Sequence, residues 1–417
     1  MKGISRFFTL YWIIYFPTCI AYNDLPGFSS IDEIMMGILF VYTFMKYSNR
    51  SINRRPWREF MVCLSVIAFY TLYSLMFGVN VAGGVWLDLL QEIRPYFIIF
   101  CTWILNPRFT KRQKKWMLGT MVLTLFSWIA YHPQTLDTQV EAEFPVLGQL
   151  AICTGMSWYL FTKETKRNRN IALLLVLTGM MAPKFKFMGE LVCFIGFVYF
   201  VKNRLNFKSP KTIIYAVLLV TVILMVTWTR FDAYYVSGLS NDELARPMSY
   251  KTSLKILYDY FPFGSGMGSF ACNGAWKFFS PLYYKYNLTG IWGLSPEMGF
   301  FICDAYYPTL AQFGIVGVFF FCWFWKRRLV AFNQIVDMRY YRIAMITFCC
   351  LAIEQTADTS WLSGKGMGYC MMIALCLNAN RNMMEQRRRE EMRKEMMEKR
   401  RMAANSENEQ LKLAEKI

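Results

Sequence analysis

Several ionisable residues stand in or beside long apolar runs, where a charged group is costly and so is usually kept for a task. Arg94 follows Asp88 and Glu92 at the start of one run. Lys184 and Lys186 cap the end of another, in Ala182-Pro183-Lys184-Phe185-Lys186, with Glu190 four residues beyond Lys186. Glu354 and Asp358 share the same i,i+4 spacing within a third run, and Arg246 and Asp304 bracket a long polar segment. Arginine forks and lysine point charges are the residue types that hold a diphosphate, and carboxylates beside them can accept a proton or orient a cation. A bland reading stands beside each. Lys184 and Lys186 could snorkel at a helix end, Glu190 could neutralise Lys186, and Glu354 and Asp358 could simply be paired. The single histidine, His132, reads as a loop residue beside Pro133, and no His/Cys/carboxylate set has metal-ligand spacing. Neither a metal nor a cofactor is expected.

The elements that must position these residues are apolar blocks. Charged residues make up 18% of the 417-residue chain and aromatic residues another 18%, whereas charged residues reach about 25% in a typical soluble domain. Phe60–Phe77, Trp116–Tyr131, Ile213–Trp228 and Tyr306–Trp325 are near-continuous apolar runs, and a bilayer-spanning helix needs about 20 such residues. The fold class expected is all-α. About twelve spans centre near residues 14, 39, 68, 101, 124, 154, 176, 195, 220, 316, 352 and 373. Residues 1–379 form this membrane domain, with a partly helical loop of about 230–305 between spans nine and ten.

A net charge of +18 raises the question of nucleic acid, but its placement argues against that partner. Twenty-five Lys and Arg fall in the N-terminal segment and in short loops 46–58, 107–115, 162–169, 202–211 and 326–342. The alternate short segments hold only Arg94, Lys184, Lys186 and Lys365. This is the positive-inside pattern. It sets both termini in the cytoplasm, turns loop 230–305 outward, and leaves four cations on the face where cations are scarce. The first run has a basic start, but no small-residue cleavage site follows Tyr22, so it reads as an anchor. Residues 380–417 are a charged tail that reads as a solvated cytoplasmic helix, or as one that lies on anionic lipid.

Loop 230–305 carries six cations and six acids, an amphipathic stretch at 250–260, and then glycines 264, 266 and 268. Those glycines are not read as a phosphate loop. A Cys272–Cys303 disulfide is an option in an oxidising compartment, and Asn287-Leu288-Thr289 is a sequon.

Three stretches resemble the O-antigen polymerase and ligase superfamily of bacterial membrane glycosyltransferases. The first joins Arg246 and its helix to Pro262-Phe-Gly-Ser-Gly-Met-Gly-Ser-Phe270, similar to the family's P-x-G-x-G-x-x-x-F turn. The second is Asp304 followed by Gly314-Ile-Val-Gly317, and the third is Pro183 to Gly189. The resemblance implies inverting, metal-independent transfer from an undecaprenyl-diphosphate-linked oligosaccharide to an acceptor glycan at the outer leaflet of the bacterial inner membrane. It also implies a chain-length regulator as a further partner. Arg246 matches the family's loop arginine, and Lys186, with Lys184 less closely, matches its basic helix end. Diphosphate binding would fall to Arg94, Lys184, Lys186 and Arg246, with Glu190, Glu354 and Asp358 supporting. Ligases carry a histidine where this chain has Asp304, so the resemblance favours a polymerase. A ligase or protein O-oligosaccharyltransferase and a polysaccharide or lipid flippase are the alternatives. Asp304 is expected either to act as general base or to orient Arg246.

Overall fold

The computed structural model describes residues 2–24, 30–47, 54–131, 145–181, 184–205 and 209–414. His132 and Pro183 lie outside these residues. The chain is all-helical, at 79% helix, with no strand among the described residues. The order is α1 (Lys2–Asp24), α2 (Ile31–Tyr47), α3 (Arg54–Phe77), α4 (Ala82–Leu105), α5 (Lys111–Tyr131), α6 (Pro145–Phe161), α7 (Lys166–Leu177), α8 (Phe185–Ile195) and α9 (Pro210–Phe231). The segment after α9 contains α10 (Ala245–Asp259), α11 (Asn273–Lys277), α12 (Leu282–Lys285) and α13 (Tyr306–Thr309). It is followed by α14 (Gly314–Asn333), α15 (Met338–Glu354) and α16 (Met367–Ala414).

Each of the twelve expected centres falls within a different helix. Three stretches among the described residues are long and apolar enough to cross a membrane: Pro56–Phe77, Thr212–Val236 and Tyr306–Asn333. The second presents Ile214, Tyr215, Val217, Leu218 and Met225 to its surroundings rather than to the protein. An apolar helix left uncovered in this way is at home in hydrocarbon, where its backbone is satisfied internally. The opposite case is the first part of α16. Tyr369 to Ala374 are all buried, so this stretch is apolar on every side and forms the axis of the bundle, packed on α4 and α15.

Several boundaries differ from expectation. Helix α4 begins at Ala82, so Arg94 lies three turns inside it rather than at its mouth. Helix α15 ends at Glu354, which leaves Asp358 in the connection to α16 instead of on the helix. Lys184 and Lys186 belong to the start of α8, Lys184 as its N-cap, and not to the end of the preceding helix. Helix α10 starts before residue 250, at Ala245, and so takes Arg246 into its first turn. Helix α16 runs through residue 380 without a break. Cys272 and Cys303 are both free thiols.

The segment between α9 and α14 has a small core of its own, in which Ile256, Phe270, Tyr283 and Leu294 are fully buried. Its glycine turn rivets it to the bundle. Gly264, Gly266 and Gly268 all have positive φ, and a Cβ on each would strike Gln312–Gly314, Gly78 or Gly84. Only glycine allows both that backbone and that approach. The turn's N–H groups are spent on protein: Gly266 donates to the Gln312 carbonyl (2.9 Å), Met267 to Ser74 Oγ (2.7 Å) and Gly268 to Asp88 Oδ2 (2.9 Å). Gln312 Nε2 donates to the same Asp88 oxygen at 2.7 Å. Asp88 is therefore the anchor of the glycine turn.

Candidate functional site

Arg246, in the first turn of α10, meets Asp304 across the loop in a two-point fork. Nε donates to Oδ2 at 2.6 Å and Nη2 to Oδ1 at 2.9 Å. The guanidinium also lies over the Tyr234 ring, 4.4 Å from its centroid. Both Asp304 oxygens are taken up in orienting Arg246, and the pair remains partly open to solvent. Of the two roles expected for Asp304, the geometry is that of the orienting one.

Lys186, in the first turn of α8, makes a second constellation. Its Nζ donates to Glu354 Oε2 at 2.7 Å and to Asp358 Oδ2 at 2.5 Å. Ser360 Oγ donates to the same Glu354 oxygen (2.9 Å) and receives Gln149 Nε2 (2.6 Å). Lys365 approaches Asp358 at 3.7 Å. Burial alone would raise the Asp358 carboxyl, but Lys186 and then Lys365 outweigh it and hold the group below the usual carboxylate range. Lys186 is thus neutralised by Glu354 and Asp358, whereas Glu190, fully buried behind it, accepts from the Tyr369 hydroxyl at 3.5 Å.

Lys184 is different. Among the described residues it has no carboxylate within 4.0 Å. Burial, and then the ammonium of Lys186, lower its pKa, with Lys365 adding to the effect. It caps α8, whose first N–H groups and dipole favour an anion. Arg230 approaches the same turn, its guanidinium 5.4 Å from the Phe185 ring centroid.

The two constellations share a wall. The Gln355 carbonyl, one residue past Glu354, accepts the Tyr306 N–H at 3.1 Å. The Thr356 carbonyl accepts Tyr235 Oη at 2.6 Å and Tyr250 Oη at 3.0 Å. Tyr250 stands one helical turn beyond Arg246, and Tyr306 two residues beyond Asp304. The turn 354–358 therefore faces Lys186 with its side chains and the Arg246–Asp304 region with its carbonyls.

Arg94 is not part of this. It is buried, forks to Asp32 and Glu33 at the start of α2, and donates to the Leu362 carbonyl at 2.5 Å. Gly364 N–H donates to Asp32 at 3.0 Å, so Arg94 and Asp32 fasten the 362–364 turn that precedes Lys365. Asp32, Ser360, Lys365, Tyr235 and Tyr250 are further contributors beyond the candidates that the sequence offers. Lys365 had a signal, as one of four cations on the cation-poor side, but the others are ordinary polar residues in sequence.

No known protein family matches the chain, and a search of curated proteins finds no match.

Proposed function

We propose that this chain is a multi-pass membrane glycosyltransferase that polymerises lipid-linked saccharide units. In this reading the twelve helices that hold the expected centres cross the bacterial inner membrane, both termini are cytoplasmic, and loop 230–305 covers a site at the outer leaflet. The donor is an undecaprenyl-diphosphate-linked oligosaccharide and the acceptor is a hydroxyl of a growing glycan. The acceptor oxygen attacks the anomeric carbon and gives up its proton to solvent water, the bond to the diphosphate breaks, and the electron pair leaves with the diphosphate.

The observation that carries the reading is the arrangement around turn 354–358. Lys184, Lys186 and Lys365 lie on one side and the Asp304-oriented Arg246 on the other. Displacing a diphosphate builds negative charge on the leaving group, and fixed cations in a site shielded from water stabilise it strongly. Lys184 is the cation left with the most capacity for a ligand. Lys186 is rigidly held, and the guanidinium of Arg246 keeps Nη1 for a further acceptor. The order of the motifs over 246–317 supports the same reading by resemblance. Removing the Lys184 charge in protein reconstituted with the lipid-linked donor tests it. Elongation by Lys184→Ala should fall by about 10- to 100-fold at limiting donor, as expected for the loss of one charged hydrogen bond of ~1.5–3 kcal/mol. Elongation at the wild-type rate would remove the diphosphate from this place.

A further inference from the structure

A crevice of about 60 Å³ opens between α3, α4 and α14, below the glycine turn. Val66, Tyr70, Tyr96, Met267 and Phe321 are among the residues of its wall, and Glu92 and Tyr306 supply its polar corner. Glu92 is 4% exposed. Its Oε2 accepts the Tyr306 hydroxyl at 3.1 Å, while Oε1 is buried without a partner. Glu92 forms no ion pair among the described residues: Arg94, two residues on in α4, is taken by Asp32 and Glu33, and Asp88, one turn back, is another acid. An unpaired carboxylate in such surroundings is expensive, and the neutral acid is the form that fits. With Oε2 accepting from Tyr306, the proton belongs on Oε1, which makes Glu92 a hydrogen-bond donor into an aromatic-walled crevice.

We propose that this crevice binds a hydroxyl-bearing amphiphile that enters from the bilayer. The hydroxyl oxygen accepts from Glu92, and the adjoining carbons lie among Val66, Tyr70, Tyr96 and Phe321. The space is several times the roughly 10–15 Å³ that one water needs on the same measure, so it holds the hydroxyl and the first few carbons. The proposal rests on the membrane reading of α3 and α14, which overlap two of the stretches apolar and long enough to cross, and not on glycan transfer.

Dicyclohexylcarbodiimide, a bilayer-soluble reagent, tests it on the full-length protein in phospholipid vesicles. The carboxylic acid adds across one C=N bond, its proton passing to nitrogen, and the adduct rearranges to a stable N-acylurea with nothing lost. The peptide containing Glu92 should gain one whole reagent, read by mass spectrometry, and Glu92→Gln should gain none there. Dodecanol at ten times its Kd should slow labelling about tenfold, whereas dodecane, with no oxygen, should leave it nearly unchanged. Val66→Trp, which fills the crevice from α3 and spares Glu92 and Tyr306, should also slow it. Absence of adduct in folded wild-type protein, equal slowing by dodecanol and dodecane, or unchanged labelling of Val66→Trp would each overturn the proposal.

Discussion

The Tyr250 hydroxyl donates to the Thr356 carbonyl at 3.0 Å, and this contact ties the helix that carries Arg246 to the turn that carries Glu354 and Asp358. Tyr235 donates to the same carbonyl at 2.6 Å and meets Tyr250 edge to face, with ring centroids 5.4 Å apart. Two donors on one acceptor share the work, so removing one should cost little and removing both much more. Tyr250→Phe should lower stability by ~0.5–1.5 kcal/mol. Tyr235→Phe/Tyr250→Phe should exceed the sum of the single changes and open residues 237–305 to protease. Limited proteolysis in detergent reads both, and strictly additive effects would argue against a shared joint.

Lys184 and Lys186 should separate cleanly on mutation. Lys186→Ala strands the buried Glu354 and the Asp358 carboxylate, and breaking such a pair costs about 3–5 kcal/mol, so its melting temperature should drop sharply. Lys184→Ala removes no ion pair among the described residues and should melt close to wild type. Thermal melts of the two purified variants check this. Equal losses would mean that Lys184 is as structural as its neighbour.

The depressed Asp358 carboxyl sets an acid limit. A carboxyl whose folded pKa lies below its unfolded value, about 3.9, contributes stability that is fully present above that value. The contribution is lost as pH falls through the folded pKa. The part of stability due to Asp358 should therefore be flat from pH ~8 to ~5 and fall only below pH ~4. Asp358→Asn should be less stable at neutral pH and lose part of that acid-side decline. Melting temperature against pH for both proteins measures it.

The glycine turn should tolerate no side chain. A Cβ at Gly268 would stand 2.5 Å from the Gly84 carbonyl oxygen, at a φ of +76° that alanine avoids. Gly268→Ala should cost more than ~1 kcal/mol and loosen the contact with Asp88. Gly290→Ala, which meets nothing within 4 Å, is the control. Comparable yield and protease resistance in both variants would contradict the rivet.

How much of this was legible in sequence follows from which forces act locally. Apolar run length is local, so the helices and their centres could be read, and so could the departure of loop 230–305 from the pattern, although α9 runs on to Phe231. Helix ends were harder. Asp88, Glu92 and Arg94 look like a polar approach to a span, yet buried partners on α2, the glycine turn and Tyr306 absorb them into α4. The pairing of Arg246 with Asp304 was one of two readings of the residues, while that of Lys186 with Glu354 joins residues 168 positions apart and needs the fold. Arg94 shows the limit most plainly. Its rarity on the cation-poor side was a sound signal of importance, but only the geometry tells a clamp on Asp32 from a hand held out to a ligand.

In the proposed function, the cations around turn 354–358 support polymerisation of a lipid-linked saccharide. The most direct measurement is the size distribution of glycans made by the purified full-length protein in bilayers loaded with an undecaprenyl-diphosphate-linked oligosaccharide. Products of many repeat units are expected, with one free undecaprenyl diphosphate released per bond formed, and both should fall steeply with Arg246→Ala or Lys184→Ala. Saccharide that crosses the bilayer unchanged in length, with no diphosphate lipid released, would contradict it.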